Sequence, residues 1–507
     1  MDESFDHIVV GGGSDGCACA GRLAQQGGRR VLLLEAGPGD RDPRVRIPFG
    51  LIRLIGHPER DWRRRTVPQD AAGGREIGVP RGRMLGGSGS LNSMVWFRGR
   101  QADFDGWGVP GWGWDAVCPA FVAVEARVRP SRLPDPHPLS EAFGRVLPGN
   151  DPAAPPTPER ESSGVVHTNM RHGARFSAAD AFLRPEERRG RVLVRTRAEV
   201  ARLVIEGGRA TGVELKRGRV IGARHSVTLA AGCIESPMIL FRSGIGPGAM
   251  LRAHGIEVQV DAPGIGANLH DHPGFGLHFA GPGSGYGLTL GQLPAWGVAP
   301  LQWAVTGRGR LSSNTVEAGA FFRVMPGDGP PDVQTHFLPF MLGWQGRPIV
   351  WGEGYFADVV AMAPRSRGRL ALGASRWEPA IDLGLLSDPH DLEVLTRGVA
   401  RLRDLLDAAP FKRRRAEEAF PGREVTGAAL AETIRARCGT AYHPVGTVAL
   451  GGPLDAELNV RGIAGLKVAD ASVMPVVTSA NTNAPAMMIG WRAGEMIARD
   501  LAWRQAA

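Results

Sequence analysis

The sequence predicts an α/β protein, α+β overall, with a Rossmann-like domain and a second domain of different build. Three observations predict this fold class. Residues 1–50 read as strand, glycine-rich turn, helix and strand, and residues 190–232 read as short strands joined by glycine turns. A chain of 507 residues is also long enough for two domains.

The N-terminal strand leads into a turn that suits a bound nucleotide. Residues 5–10 are a short, mostly apolar run, as expected of a buried parallel strand. In the turn GGGSDG that follows, Gly11, Gly13 and Gly16 have the G-x-G-x-x-G spacing. These glycines allow a tight turn, a close approach of the backbone to a pyrophosphate, and close packing of the helix on the strand.

The next helix and strand complete this predicted dinucleotide site. The helix, expected at residues 17–26, presents the free N–H groups of its first turn to phosphates. The second strand, residues 30–35, ends in Glu35, which can accept hydrogen bonds from both ribose hydroxyls. Asp15 is unusual in a phosphate loop, and we expect its carboxylate to point to solvent or to cap the helix.

Composition argues against a polyanionic partner. The net charge is +9, but only three of the basic residues are lysines. The arginines are spread along the chain instead of being gathered in one tail or on one helix face. We therefore expect no nucleic-acid partner. The oligomeric state is left open.

The cysteines and the N-terminus indicate a soluble, cytoplasmic protein. Five scattered cysteines do not form a disulfide framework, and Cys17 and Cys19 lack the second ligand pair of a zinc site. The N-terminus is acidic and runs straight into a strand, unlike a signal peptide. No apolar run reaches the roughly 18 residues that cross a bilayer, so we expect no membrane association.

The C-terminal part of the chain predicts a second set of ligand contacts. Residues 466–468 form a strand, and Asp470 and Ala471 follow at its carboxyl end, where such folds keep ligand contacts. In the sequence NTNAP, we expect Asn483 to be the N-cap and Pro485 to lie in the first turn of a helix. The positive end of that helix is then available to a bound cofactor.

Several motifs resemble one family along the whole chain. Residues 82–105 (GRMLGGSGSLNSMVWFRGRQADFD) carry its first signature, and residues 232–246 (GCIESPMILFRSGIG) carry its second. Residues 263–273 and 385–392 continue the match in the same order. The chain therefore resembles the glucose–methanol–choline (GMC) oxidoreductases, with Cys233 where a smaller or hydroxylated residue is usual.

The resemblance implies FAD as the cofactor and a substrate domain built on an antiparallel sheet flanked by helices. The implied FAD-binding domain comprises residues 1–150, 190–275 and 431–507, and the implied substrate domain comprises residues 276–430. Residues 333–341 and 355–363 read as strands of the substrate domain. Some relatives attach FAD through a histidine at the place where this chain has Leu91, so we expect non-covalent FAD.

The resemblance also assigns cofactor contacts residue by residue. Outside the glycines of the turn and Glu35, the expected FAD-binding residues are Ser14, Ala36, Gly87, Asn92, Ser93, Met94, Val95, Val200, Ala231, Asp470, Ala471, Thr482 and Asn483. Residues 92–95, with Gly87, are expected to line the flavin. Val200 is expected to meet the adenine through its backbone.

A histidine in TAYHPVGT is the candidate base. Taken alone, His443 fits a catalytic role or a space-filling one. Family members pair such a histidine with an Asn or a second His about 40 residues later, and here Asn481 follows 38 residues on. The resemblance therefore implies that His443 takes the proton of a primary alcohol while a hydride passes to the flavin N5. Asn481 is expected to orient the alcohol oxygen.

The implied substrate is an aromatic or furanic alcohol. The chain looks most like 5-hydroxymethylfurfural-type and aryl-alcohol oxidases, in which O2 reoxidises the flavin and gives H2O2. Tyr442 either packs against a flat substrate or forms a wall of the flavin pocket. Alternatives are a dehydrogenase with a quinone-type acceptor and a hydroxynitrile lyase. The motif HDH at residues 270–272 matches a family loop, and we expect no metal there.

Overall fold

Two large sheets organise the chain, one mostly parallel and one antiparallel. The computed structural model describes residues 3–27, 30–147, 151, 153–341, 351–407, 411 and 416–506. Each sheet has its own hydrophobic core. In the core of the antiparallel sheet, the rings of Phe143 and Phe337 stack at 4.6 Å between centroids.

The first sheet confirms the predicted Rossmann-like fold. Its strands lie in the order Val192–Arg195, Val31–Leu34, Ser4–Val10, Val220–Leu229, Arg209–Leu215 and Val200–Glu206, with Leu466–Val468 paired to Val220–Leu229. The pairs among the first four strands, and the pair made by Leu466–Val468, are parallel. The hairpin formed by the last two strands is antiparallel. The parallel strands are rich in Val, Ile and Leu because both faces of a parallel sheet are covered.

Two helices at opposite ends of the sequence, Ser14–Gly27 and Asn483–Ala506, pack against each other, and the first of them packs against this sheet. At their contact, a Cβ on Gly490 would lie 2.0 Å from the backbone oxygen of Asp15, so only glycine fits there. The first helix begins at Ser14, three residues before the predicted start. The Cys17 N–H already donates to the Gly13 carbonyl at 2.9 Å, which adds a turn.

The second sheet is antiparallel throughout. Its strands lie in the order Glu417–Phe420, Pro273–Ala280, Gly354–Ala361, Val333–Leu338, Ala318–Phe322 and Ser162–Val165, with Gly439–Thr440 paired to Pro273–Ala280. Strands therefore occupy both stretches where they were expected, at 333–341 and 355–363. The edge strand Ser162–Val165 comes from a part of the sequence assigned to neither domain. The domain boundaries themselves stay a prediction.

Further helices and two-stranded pairs complete the fold. The remaining α-helices are Pro43–Arg46, Gln101–Asp105, Trp114–Val128, Pro138–Phe143, Arg184–Arg188, Gly232–Arg242, Gly248–Ala253, Leu293–Thr306, Pro389–Leu406 and Gly427–Arg437. Two-stranded pairs are formed by Arg64–Arg65 with Gly78–Val79, Ser131–Arg132 with His167–Thr168, Met170–Arg171 with Ala174–Arg175, Ile245–Gly246 with Val260–Asp261, and Arg369–Leu372 with Pro379–Asp382. None of the helices in the described part of the chain combines the length and apolar character needed to span a membrane.

Candidate active site

One cavity of about 850 Å³ connects the glycine-rich turn with His443. The structure brings nearly all of the predicted site residues to its wall. Those lining it are Gly11, Gly13, Ser14, Glu35, Ala36, Gly87, Asn92, Ser93, Met94, Val95, Val200, Ala231, Ala471, Tyr442, His443, Asn481, Thr482 and Asn483. Gly16 and Asp470 lie behind the wall.

The glycine-rich turn is shaped by close backbone approaches. Gly11 has a φ of +106°, and a Cβ there would lie 2.2 Å from the Ala230 carbonyl oxygen. A Cβ on Gly16 would lie 1.9 Å from the Gly11 carbonyl oxygen, which is why this residue packs the helix on the strand without reaching the cavity. The turn is therefore open to a diphosphate on one side and closely packed on the other.

Glu35 is positioned by two backbone donors. Gly12 N–H donates to Oε2 and Gly37 N–H donates to Oε1, each at 2.8 Å. Burial raises the pKa of the carboxyl to about 7, although these donors act to lower it. Each carboxylate oxygen can accept a second hydrogen bond, so Glu35 can still bind ribose hydroxyls.

Asp15 does not point to solvent. It is buried and lines the cavity from the first turn of the helix. Burial, together with the negative charge of Asp470, raises its pKa well above the usual value. Backbone N–H groups of Asp15 and Gly16 act in the opposite direction. The expectation that Asp15 points to solvent is therefore wrong, and the other expectation, that it caps the helix, stays a prediction.

The expected flavin-lining loop is held by an arginine that the sequence did not point to. Arg175 is buried and donates to Oδ1 and to the carbonyl of Asn92 at 2.8 and 2.7 Å. It also donates to the carbonyl of Gly89 at 2.9 Å and to that of Val45 at 3.0 Å. Burial lowers the pKa of Arg175 to about 9. Met94 completes the loop in the left-handed region, with φ +59°.

The C-terminal loop differs from prediction at Asn483. The helix begins at Asn483 itself, and the Ala486 N–H donates to the Thr482 carbonyl at 3.0 Å. Asn483 is therefore not the N-cap. Its Oδ1 accepts from Ser14 Oγ at 2.6 Å, and its Nδ2 is buried without a partner among the described residues. Such an orphaned donor beside the glycine-rich turn fits the phosphates of a dinucleotide.

Asp470 supports the site from behind. Its carboxylate accepts from Gly232 N–H at 2.9 Å and from Ser236 Oγ at 2.5 Å. It also accepts from Ser472 N–H at 2.9 Å, which caps a short 3₁₀ helix. The structure thus gives Asp470 no contact with the cavity, while its neighbour Ala471 lines it.

His443 and Asn481 meet at the other end of the cavity. Asn481 Nδ2 lies 3.1 Å from His443 Nε2. Burial lowers the pKa of His443 well below its usual value, and the nearby rings of His272 and His336 act in the same direction. An imidazole that stays neutral is ready to accept a proton.

The HDH motif lies directly against the candidate base. Asp271 Oδ1 accepts from the His443 backbone N–H at 2.9 Å, and Nδ1 of His272 lies 3.1 Å from Nδ1 of His443. Ligand-type atoms of these three residues lie within 4.8 Å of one another. Asp271 and His272 thus each contact His443 directly. The expectation of no metal stays a prediction. His270 is structural, since its Nε2 accepts from Val477 N–H at 3.0 Å.

Three polar residues of the antiparallel sheet complete this end of the site. Gln334 Nε2 donates to Asn481 Oδ1 at 3.0 Å, and His336 Nε2 lies 3.4 Å from the same oxygen. His336 Nδ1 pairs with Asp358 Oδ2 at 3.0 Å. Burial acts to lower the pKa of His336, but the Asp358 carboxylate outweighs it and the net pKa is raised. One signal was present in the sequence: Gln334 and His336 alternate on one face of an otherwise mostly apolar strand.

Tyr442 lies beside the base in a constrained turn. It has a φ of +65°, and its N–H donates to Thr440 Oγ1 at 3.0 Å. The Arg81 guanidinium donates to its carbonyl. Its side chain lines the cavity and is 48% exposed. Both interpretations of Tyr442, as a substrate contact and as a flavin wall, remain compatible with this position.

Fold and site together define a class. A Rossmann-like sheet with a glycine-rich turn shares one cavity with a neutral histidine and an amide, which is the arrangement of a dinucleotide-dependent oxidoreductase acting on alcohols. The chain belongs to the GMC oxidoreductase family, whose N-terminal and C-terminal patterns match residues 5–274 and 364–490. GMC oxidoreductases bind FAD, and the open turn, Glu35 and the orphaned Asn483 amide fit that cofactor.

Known relatives cover nearly the whole chain. An alcohol dehydrogenase [acceptor] from Pseudomonas putida is 34% identical over 98% of this chain and 96% of its own. An oxygen-dependent choline dehydrogenase from Sinorhizobium medicae (strain WSM419) is 35% identical over 97% and 95%. Among solved structures, pyridoxine 4-oxidase from Mesorbium loti matches with a TM-score of 0.83 and 27% identity, over 97% and 98%.

Proposed function

We propose that the protein oxidises a primary alcohol on an aromatic or furan ring to the aldehyde, with non-covalent FAD and with O2 as the electron acceptor. The observation that supports this most directly is the 3.1 Å contact between His443 Nε2 and Asn481 Nδ2 at the wall of the FAD-type cavity. FAD supplies the hydride acceptor when it is bound.

The two residues divide the work on the alcohol oxygen. His443 Nε2 accepts the hydroxyl proton, and Asn481 Nδ2 donates a hydrogen bond to the same oxygen. An amide does not titrate, so Asn481 orients the substrate while His443 changes its protonation state. The hydrogen bond from the His443 backbone N–H to Asp271 holds the base in place during this change. The protonated His443 that remains favours negative charge developing on oxygen.

The lining of the cavity supports a ring-bearing substrate. On the side of the antiparallel sheet it is lined by apolar and aromatic residues, among them Val316, Leu338, Phe356, Val360 and Phe420. Such walls suit a flat ring. The relative named for pyridoxine, an aromatic alcohol, agrees with this class.

Choline is the less favoured substrate, despite the relatives named for it. A quaternary ammonium is bound by aromatic rings and an unpaired carboxylate. Among the described residues that line this side of the cavity, the carboxylate is Asp358, and it is paired with His336 at 3.0 Å. Choline therefore serves as a discriminating test substrate.

The second candidate is an alcohol dehydrogenase with a quinone-type acceptor, because a relative at 34% identity is named an alcohol dehydrogenase [acceptor]. It shares the alcohol chemistry and differs only in the electron acceptor. A hydroxynitrile lyase would use a similar base without net redox change.

Anaerobic flavin reduction tests these alternatives. The purified yellow protein is mixed without air with benzyl alcohol, 5-hydroxymethylfurfural or choline, and flavin absorbance is followed before and after air is admitted. Bleaching by a ring-bearing alcohol, with recovery in air and formation of H2O2, is the expected result. Bleaching without recovery supports the dehydrogenase. No bleaching by any alcohol, with release of cyanide from a cyanohydrin, supports the lyase. The variant His443→Ala is the matched control, since it keeps the flavin site and loses the base.

A further inference from the structure

The candidate base has a buried partner that does not touch the cavity. The His272 ring meets the His443 ring edge to face, with centroids 5.3 Å apart, and the two Nδ1 atoms are 3.1 Å apart. His443 lines the cavity, whereas His272 is fully buried behind it. His272 therefore acts on substrate only through His443.

Only one hydrogen fits between the two Nδ1 atoms. Burial keeps both rings neutral, lowering the pKa of His272 to about 3 and that of His443 well below its usual value. A neutral imidazole carries one N–H and one lone pair. Either His443 donates its Nδ1–H to His272, or His272 donates to His443. In the first arrangement His443 Nε2, the atom that faces the cavity, carries a lone pair. In the second arrangement it carries a hydrogen.

The orientation of the Asn481 amide distinguishes the two arrangements. The Asp358 carboxylate pairs with Nδ1 of His336, whose Nε2 lies 3.4 Å from Asn481 Oδ1. Gln334 Nε2 lies 3.0 Å from the same oxygen. With the Gln334 side-chain amide donating to its oxygen, Asn481 turns its NH2 group toward His443 Nε2, at 3.1 Å. A donor there requires a lone pair on Nε2.

We propose that His272 is a positioning residue for the base: it accepts a hydrogen bond from Nδ1–H of His443 and so holds His443 in the tautomer whose Nε2 lone pair faces the substrate. The backbone groups of Met362 and Thr478 act to raise the pKa of His272, and its Nε2, the ring nitrogen that does not face His443, makes no hydrogen bond within the described part of the chain. The catalytic consequence rests on the proposed alcohol oxidation. The tautomer itself does not.

The contact with His272 matters most after proton transfer. Once His443 Nε2 has taken the alcohol proton, the ring carries two N–H groups and a positive charge. Its Nδ1–H is buried, and a buried donor without an acceptor is unfavourable. His272 supplies that acceptor throughout the reaction. Its loss therefore slows proton abstraction more than it weakens substrate binding.

The resting tautomer is measured by NMR on the FAD-loaded protein with 15N-labelled histidine. The signals of His443 are assigned by their loss in His443→Ala. We expect a protonated, pyrrole-type shift for Nδ1 and an unprotonated, pyridine-type shift for Nε2. The reverse pattern overturns the proposal, whatever the substrate is. If ring-bearing alcohols fail to bleach the flavin but the expected pattern is seen, the proposed function falls and the assignment of His272 stands.

Two variants of His272 distinguish its role as a hydrogen-bond acceptor from its role in packing. In His272→Asn, the side-chain oxygen can occupy the place of Nδ1, whereas His272→Leu fills space without an acceptor. We expect flavin reduction at saturating benzyl alcohol to fall about tenfold or more in the Leu variant, with its substrate dissociation constant little changed. The Asn variant should retain most of the rate and the His443 tautomer. Equal rates in both variants overturn the proposal. Should the Leu variant not fold, the wild-type and Asn spectra still decide.

Discussion

Asn481 Nδ2 lies 3.1 Å from His443 Nε2, and the two residues come from separate loops on either side of the strand Leu466–Val468. Asn481 lies just before the N-terminus of the last helix, which begins at Asn483. Asp271 of the HDH motif accepts a hydrogen bond from the His443 backbone N–H and so holds His443 opposite Asn481. This contact joins a residue that can change its charge to one that cannot, and the first prediction follows from that difference.

We expect unequal losses when each member of the pair is truncated. His443→Ala removes the base and should lower the rate of substrate-dependent flavin reduction by about 10² to 10⁴. Asn481→Ala removes one neutral hydrogen bond and should lower it by about tenfold. Single-turnover reduction under anaerobic conditions measures both rates, and the flavin spectrum of each variant controls for cofactor loading. Equal losses would contradict this division of roles.

The pH dependence of flavin reduction should be shifted to the acid side. Burial lowers the pKa of His443, so the ring stays in its neutral, proton-accepting form as the pH falls through the ordinary imidazole value near 6.5. The rate should therefore hold its plateau at pH 6.5 and fall only in more acid solution. Reduction rates measured between about pH 5 and pH 9 check this. An acid limb centred at or above 6.5 would show that the base titrates like an exposed histidine.

Much of the nucleotide site could be predicted from sequence because its parts are contiguous. The turn, the helix and Glu35 follow one another within residues 10–35, and the local pattern fixes their contacts. The strand Leu466–Val468 was predicted with its bounds for the same reason. Asn483 shows the limit of local rules. Its side chain suits an N-cap, but its Oδ1 instead accepts a hydrogen bond from Ser14 Oγ, 469 positions away in the sequence.

The missed residues act across long distances in the sequence. Arg175 reaches Asn92 from 83 positions away, and Gln334 reaches Asn481 from 147. The pairing of His336 with Asp358 requires the register of two antiparallel strands. Composition and periodicity identify such strands but do not say which loop they will face. This is why the residues that orient His443 and Asn481 were not predicted, whereas the pair itself was assigned from the family resemblance.

Two glycines of the N-terminal region should differ in their response to the same substitution, one with a large loss and the other with little effect. In Gly16→Ala, the new Cβ would lie 1.9 Å from the Gly11 carbonyl oxygen, so the helix must move off the strand. We expect a large loss of FAD affinity and of thermal stability. Gly39→Ala is the control, because no atom lies within 4 Å of its added Cβ. Flavin fluorescence titration and thermal unfolding measure both effects. A stable Gly16→Ala protein with normal FAD affinity would refute the close packing.

Arg175 should be needed for the flavin-lining loop. Arg175→Ala removes a buried guanidinium that donates to Asn92 and to the carbonyls of Gly89 and Val45. Leaving such acceptors unpaired should lower the free energy of unfolding by about 3–5 kcal/mol and reduce bound FAD. Arg202→Ala is the control. The Arg202 side chain is more than half exposed, and its ion pair with Glu214 contributes about 0–1 kcal/mol to the free energy of unfolding. Urea unfolding compares the two, and similar losses would argue against a special role for Arg175.

Denaturation of the protein should release FAD as the free, unmodified cofactor. A covalent link needs a nucleophilic or histidyl side chain against the flavin, and the position that serves in some relatives holds Leu91. It lines the cavity and packs with Val45, Leu54 and Met84. The thiol of Cys233 also lines the cavity, but burial raises its pKa and keeps it protonated, so it is a poor nucleophile. After acid precipitation, all flavin absorbance should appear in the supernatant with the properties of free FAD. A yellow, fluorescent pellet would instead mean that another residue of the cavity forms the bond.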